Sequence, residues 1–282
     1  MSNIVCVYHA KCPDGMAAAK VVIDHYKKSG KEVTLIEGYY QSDLDLSQFK
    51  DKLVYIVDFS FSESVMDQIC EHAREVILID HHKTAIEALG LWINPKCQVV
   101  FDTAKSGCRL TWEYFNKDIQ PPDYIKFIED RDMWKFNYNE TKLYCCATGV
   151  NRNFDDFIAY LDTPTERILS DGVIIRKVET SVIEAVKSTA ADVVFHGAKI
   201  KFVINPYVGV ISEALNILAS ENEECKMALS ASYLAKGNEW LYSLRSVGDV
   251  DVSSIAKQYG GGGHKNAAGF KLDHLLPLMK LQ

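Results

Sequence analysis

Three short polar clusters in this 282-residue chain each follow directly on an apolar run. Asp80-His81-His82 comes after Val76-Ile77-Leu78-Ile79, and Asp58-Phe59-Ser60 after Val54-Tyr55-Ile56-Val57. His9-Ala10-Lys11-Cys12-Pro13-Asp14-Gly15 comes after Ile4–Tyr8. A carboxylate and an imidazole together can ligate a divalent ion, and a second imidazole beside them can contact a phosphate oxygen. Asp58 has two oxygens and can bridge two ions. His9, Cys12 and Asp14 are all competent ligands, while Gly15 permits close backbone approach. Each cluster alone also has an ordinary reading: a histidine-rich loop, a helix cap, a Pro-Asp-Gly turn. Three apolar runs ending in such groups are hard to explain as coincidence.

The elements that must position these clusters follow from periodicity. Strands are predicted at Ile4–Tyr8, Glu32–Glu37, Leu53–Val57 and Glu75–Ile79, with helices at Gly15–Lys28 and Ser64–Arg74. Strands alternating with helices imply an α/β fold, here a mainly parallel sheet sandwiched by helices. Such sheets place ligands beyond the carboxyl ends of their strands, where all three clusters fall. After Asn94-Pro95 the pattern turns mainly helical, with helices over Ser106–Phe115 and Pro122–Ile128. The polar string Glu129-Asp130-Arg131-Asp132 comes next. A long helical stretch, Glu166–Ala191, reads as a connector. Beyond it, strands over 199–205, 225–234 and 239–246, with helices over 211–220 and 252–260, form a smaller α/β domain. The expected organisation is a catalytic domain at 1–165, a helical linker at 166–194 and a second domain at 195–282.

The second domain carries its own polar signals. Gly260-Gly261-Gly262-Gly263 offers backbone N–H groups that no side chain shields, the makings of an anion nest. His264 and Lys265 add donors. Arg245 and Ser246 end a strand, and an arginine there can grip a phosphate or carboxylate with two parallel hydrogen bonds. Four glycines can equally be a flexible linker, but these lie between a helix and the strand Gly269–Leu272.

In that order, HxxCxDG (9–15), VDFS (57–60), DHH (80–82), EDRD (129–132) and GGGGHKNAAG (260–269) resemble the DHH phosphoesterases with their DHH-associated C-terminal domain. The resemblance spans nearly the whole chain. It implies a metal-dependent phosphoric ester hydrolase with two divalent ions, Mn²⁺ first among them. By resemblance, His9 ligates one ion, Asp14 the other, Asp58 bridges, His81 completes the second site, and His82 and Asp80 serve the chemistry beside the substrate. A last ligand is expected at Asp130, on the spacing to Trp134, with Asp132 as runner-up. Arg245, Ser246, Gly261, Gly262, Gly263 and His264 would bind substrate. Cys12 departs from the aspartate many members carry; if it ligates, it favours Fe²⁺, Co²⁺ or Zn²⁺.

Composition bounds the substrate. A net charge of −7 argues against coating long duplex nucleic acid, but leaves room for a small anion in a metal pocket. The expected activity is a phosphodiesterase or exonuclease on short oligonucleotides. The alternatives are a pAp-type phosphomonoesterase, a cyclic (di)nucleotide phosphodiesterase and, from another class, a nucleotide-binding sensor without turnover. Eight cysteines without a CxxC pair argue against a structural zinc site. No apolar run suits a membrane span, and the N-terminal residues lack signal-peptide order, so a cytoplasmic protein is expected. A homodimer is compatible with all of this.

Overall fold

The computed structural model describes residues 2–39, 44–150, 153–204 and 208–280. They form two compact units, Met1–Arg176 and Lys177–Gln282. Unit 1 runs β1 (Ile4–His9), α1 (Pro13–Lys27), β2 (Thr34–Gly38), β3 (Leu53–Val57), α2 (Glu63–His72), β4 (Glu75–Asp80), α3 (Lys83–Leu89) and β5 (Cys97–Phe101). Helices α4 (Gly107–Asn116), α5 (Asp123–Asp132), α6 (Thr141–Thr148) and α7 (Phe154–Leu161) follow, then α8 (Thr165–Ser188), which passes through the division between the units.

All pairings in the first sheet are parallel, in the order β2-β1-β3-β4-β5. Alternation along the strands explains why it is covered on both faces. Cys6, Tyr8, Tyr55, Val57, Ile77 and Ile79 point to one side, onto residues of α1, α4 and α5. Val5, Val7, Val54, Ile56, Val76 and Leu78 point to the other, onto Met66, Ile69 and Cys70 of α2. The strand order reverses direction between β1 and β3, and chain connections diverge there to leave a crevice beyond the strand ends. His9 and Asp58 lie at that point, with Asp80 one strand further on.

Strand β5 and helices α3, α6 and α7 are additions to the expected elements. Cys97–Phe101 lies in the stretch read as helical, and pairs in register with Val76–Asp80 of β4. That pairing is a long-range choice that a five-residue run does not announce.

Unit 2 contains β6 (Ala191–Phe195), β7 (Ala198–Ile204), α9 (Val208–Glu221), β8 (Met227–Leu234), β9 (Glu239–Ser246), α10 (Val252–Gln258), β10 (Gly262–His264), β11 (Ala267–Leu272) and β12 (Met279–Lys280). The sheet is mixed, in the order β10-β11-β9-β8-β7-β6-β12, with β7 and β8 parallel. Ile183 and Val186 of α8 pack with Ile211, Leu215 and Leu218 of α9. The strand expected over 199–205 is β7; Asn205 lies outside the described residues. Among the described residues no helix is long and apolar enough to cross a membrane.

Candidate metal centre

Asp58 is the residue around which the site is built. It directly follows β3 and sits in the left-handed region at φ +54°, a conformation that costs most side chains roughly 1–2 kcal/mol. Its N–H donates to the Ile79 carbonyl at 2.9 Å, which ties the turn to β4. Its carboxylate is fully buried, with His9 Nδ1 3.3 Å from one oxygen and His81 Nε2 3.1 Å from the other. Neither oxygen accepts a well-formed hydrogen bond. A buried, ionised carboxylate needs a cation beside it, here a protonated His81 or a metal ion in that proton's place.

Asp14 reaches the same place from α1. It is the second residue of that helix, behind Pro13, and its carboxylate is buried. The first two N–H groups of α4 hold it, Gly107 at 2.6 Å and Cys108 at 3.0 Å, so the positive end of one helix fixes an anion at the start of another. Gly107 must lack a side chain here. A Cβ on it would lie 2.5 Å from the Asp58 Cβ and 2.7 Å from Asp58 Oδ1. Gly15 has a similar duty, since a Cβ on it would meet the His9 carbonyl oxygen at 2.5 Å.

The DHH tripeptide divides its labour. Asp80 turns back into the protein. Its Oδ1 accepts the backbone N–H of His81 at 2.7 Å and of His82 at 3.1 Å, and contacts His82 Nδ1 at 2.7 Å. Its Oδ2 accepts the Ser60 hydroxyl at 2.5 Å. Asp80 therefore orients the two imidazoles. His81 Nε2 is 3.1 Å from Asp58, 3.6 Å from Asp132 and 3.8 Å from Asp14. Among the described residues, two groups bring ligand atoms within 4.8 Å of one another: His9, Asp58 and His82, and Asp14, Asp58 and His81. Asp58 belongs to both.

Electrostatics follow from this crowding. Burial works against a charged His81, yet Asp58, Asp14 and Asp132 around it prevail and raise its pKa to about 10. Burial, then Asp58 and Asp132, raise the Asp14 carboxyl well above its usual range. Burial also opposes the Asp58 carboxylate, but His81 and His9 outweigh it and hold that group low. Burial first, and Asp58 next, push Asp132 up to about 6. Burial and the same three carboxylates push the Cys12 thiol up. Cys12 caps α1 without a side-chain hydrogen bond and joins neither ligand group.

Asp130 and Asp132 part company. Asp130 is buried and closes the following loop, accepting from Asn137 N at 2.9 Å, Tyr138 N at 3.3 Å and the Thr141 hydroxyl. Asp132 is the one beside His81. The geometry thus brings the runner-up of the two to the cluster and turns the first choice away, because both Asp130 oxygens are occupied within the fold.

The expected substrate residues lie in unit 2. Arg245 donates to Ser212 Oγ at 2.6 Å and to the Leu244 carbonyl at 2.8 Å. The Ser246 hydroxyl is buried, donating to the Val250 carbonyl at 2.7 Å and accepting from Asn266 Nδ2 at 2.9 Å. The glycine run is partly spent on structure. Gly260 and Gly261 donate to the Lys257 and Ala256 carbonyls, at 3.1 and 2.9 Å, to close α10. Gly262–His264 then pair with Ala267–Gly269 as a hairpin.

Ser60, Ser106, Gly107 and Cys108 are the supporting residues that sequence reasoning missed. Ser106-Gly107 read only as an ordinary helix start; its partner Asp14 is more than ninety positions away.

A parallel sheet bearing buried aspartates and histidines at its switch point, followed by a mixed-sheet unit, defines the class: an α/β protein with a candidate metal centre. Residues 199–281 match the DHHA1 domain. That match places a DHHA1 domain in unit 2, and solved structures similar to the chain share its fold. The chain is similar to RecJ from Thermus thermophilus, solved with Mn²⁺, at 14% identity and a TM-score of 0.61 over 95% of this chain and 49% of that one. It is similar to a pGpG-specific phosphodiesterase from Vibrio cholerae, at 15% identity and a TM-score of 0.55 over 95% of this chain and 93% of that one. An uncharacterized protein of Acanthamoeba polyphaga mimivirus is 28% identical over 94% of this chain, which spans 66% of that protein's length.

Proposed function

We propose that this protein is a divalent-metal-dependent phosphodiesterase acting on short oligonucleotides. The observation that carries the proposal is Asp58, a buried carboxylate shared by two ligand groups with neither oxygen hydrogen-bonded. His9 and Asp58, and Asp14, Asp58 and His81 with Asp132, are the residues that would hold two ions, with His82 beside them. Mn²⁺ suits carboxylate and imidazole ligands of this kind, and the similarity to RecJ solved with Mn²⁺ supports it. The ions would supply Lewis acidity toward the phosphoryl oxygens and an acidified water.

The chain's own residues supply the rest. Asp80 holds His82 Nδ1, which fixes the ring and presents Nε2 for hydrogen bonding to a phosphoryl oxygen or for protonating the leaving group. The α4 N-terminus keeps Asp14 in place. Within unit 2, Arg245, His264 and the Gly262-Gly263 backbone are proposed as anion-binding groups of the DHHA1 domain. The short substrate is supported by the nearly end-to-end likeness to the pGpG-specific enzyme.

Turnover with Mn²⁺ of 5′-labelled RNA and DNA of about two to about twelve nucleotides, alongside pAp, cyclic dinucleotides and pyrophosphate, tests this reading. Hydrolysis fastest on the shortest linear substrates is expected. Hydrolysis of only pAp or cyclic dinucleotides would overturn the substrate class, and none at all would overturn the enzyme.

Two further outcomes follow from the geometry. Asp132→Asn is expected to weaken Mn²⁺ binding by at least about 10-fold, because even partners one layer out typically cost roughly 10–100-fold. Asp130→Asn is expected instead to cost roughly 1–3 kcal/mol of stability while Mn²⁺ affinity stays near wild type. Calorimetric titration and thermal melts on the two variants distinguish the roles.

Protons compete with the metal. In the metal-free protein the His81 proton stabilises the fold fully below about pH 6.5, and that contribution is lost as pH rises through about 10. A cation must displace this proton. Mn²⁺ affinity is therefore expected to rise at least about tenfold per pH unit between about pH 6.5 and 10, as one proton displaced per ion requires. Titrations in buffers of different ionisation enthalpy count the protons; a flat profile would contradict the arrangement.

A further inference from the structure

The loop after Asp132 does something that metal binding does not need: it displays aromatic rings. Trp134 exposes 40% of its surface, and its ring meets that of Phe136 edge-on at 5.0 Å between centroids. The Arg131 guanidinium lies over the indole at 4.3 Å, and Lys142 over Phe136 at 5.2 Å. Both aromatic residues occupy the left-handed region, at φ +54° and +49°, which bulky side chains rarely adopt. The surrounding bonds force that conformation. The Asp130 carbonyl accepts from Lys135 and Phe136, its carboxylate from Asn137 and Tyr138, and the Arg131 carbonyl from Trp134. A buried aspartate and two left-handed residues thus serve to keep a tryptophan in solvent, and strain of this kind concentrates at functional sites.

Position says what the ring is for. Trp134 is two residues beyond Asp132, so their Cα atoms are at most about 7.6 Å apart. Asp132 in turn is 3.6 Å from His81. A phosphate at the aspartate–histidine cluster would place the rest of its nucleotide within reach of this loop. The ligand should be planar, for the indole, and anionic, for Arg131 and Lys142.

We propose that Trp134, backed by Arg131, is a stacking surface for a nucleobase of the substrate whose phosphate lies at the Asp58 cluster. This rests on the phosphodiesterase reading and deepens it: recognition is of the base as a flat surface, so every base is accepted and a substrate without one is disfavoured.

The test uses the full chain with Mn²⁺, titrated with AMP and with ribose 5-phosphate. AMP is expected to bind roughly 5- to 100-fold more tightly, the usual range for loss of one base stack. Trp134→Ala should erase that preference by weakening AMP alone, and Trp134→Phe should keep most of it. AMP should also quench indole emission in the wild type, and by much less in Trp134→Phe, a readout that survives if the alanine variant does not fold. Equal binding of the two ligands by the wild type would overturn the proposal, as would parallel loss of both in Trp134→Ala. Turnover is read separately. Base preference without phosphodiester hydrolysis would sink the phosphodiesterase reading and leave the stacking surface standing.

Discussion

Asp58→Asn is expected to abolish hydrolysis, with turnover falling at least about 10³-fold, because several kcal/mol of charge stabilisation are withdrawn from the transition state at once. The size of the effect follows from the residue's double membership. His9 and His82 belong to one ligand group and Asp14 and His81 to the other, but Asp58 stands in both. Asparagine fits the same volume and tolerates the left-handed backbone at φ +54°, so the fold has no steric reason to fail. What it lacks is the negative charge and the second acceptor oxygen. The variant should retain its circular dichroism spectrum while losing both Mn²⁺ binding and activity. Turnover within tenfold of wild type would mean that the two groups are not one centre.

Gly107→Ala is expected to have the next largest effect, although Gly107 carries no functional group. Its new methyl would fall 2.5 Å from the Asp58 Cβ and 2.9 Å from its Cα, and these are backbone-anchored atoms that cannot swing aside. The start of α4 must therefore retreat, and overpacking of this kind costs about 1–3 kcal/mol. Retreat also draws the Gly107 and Cys108 N–H groups from Asp14, at 2.6 and 3.0 Å now. Displacing both aspartates by even about 1 Å is expected to reduce turnover on the order of 10²-fold. A melt lowered by a few degrees together with this loss checks the prediction. A variant with a lowered melt and unchanged turnover would show that Asp58 and Asp14 tolerate displacement.

Much of the centre was legible because strand ends are conspicuous in sequence. An apolar run that stops at Asp or His announces both the strand and the polar group delivered by it, and His9, Asp58, Asp80 and His81 follow that rule. The choice between Asp130 and Asp132 was not legible. On a helix, residues two apart point roughly 200° away from each other, so only one can face the cluster, and nothing in Glu129-Asp130-Arg131-Asp132 marks which. The spacing to Trp134 pointed to Asp130, and the loop that Trp134 belongs to is what Asp130 holds. The glycine run is legible only in part for a related reason. Backbone N–H groups look free in a sequence, but Gly260 and Gly261 spend theirs on the end of α10. Gly107 was hidden because its importance lies in atoms it lacks, opposite a residue forty-nine positions earlier.

Electron paramagnetic resonance of the Mn²⁺-loaded protein tests most directly whether two divalent ions share Asp58. Two Mn²⁺ per chain are expected, giving an exchange-coupled signal that Asp58→Asn eliminates. A single uncoupled Mn²⁺, or a coupled pair that persists in Asp58→Asn, would contradict that sharing.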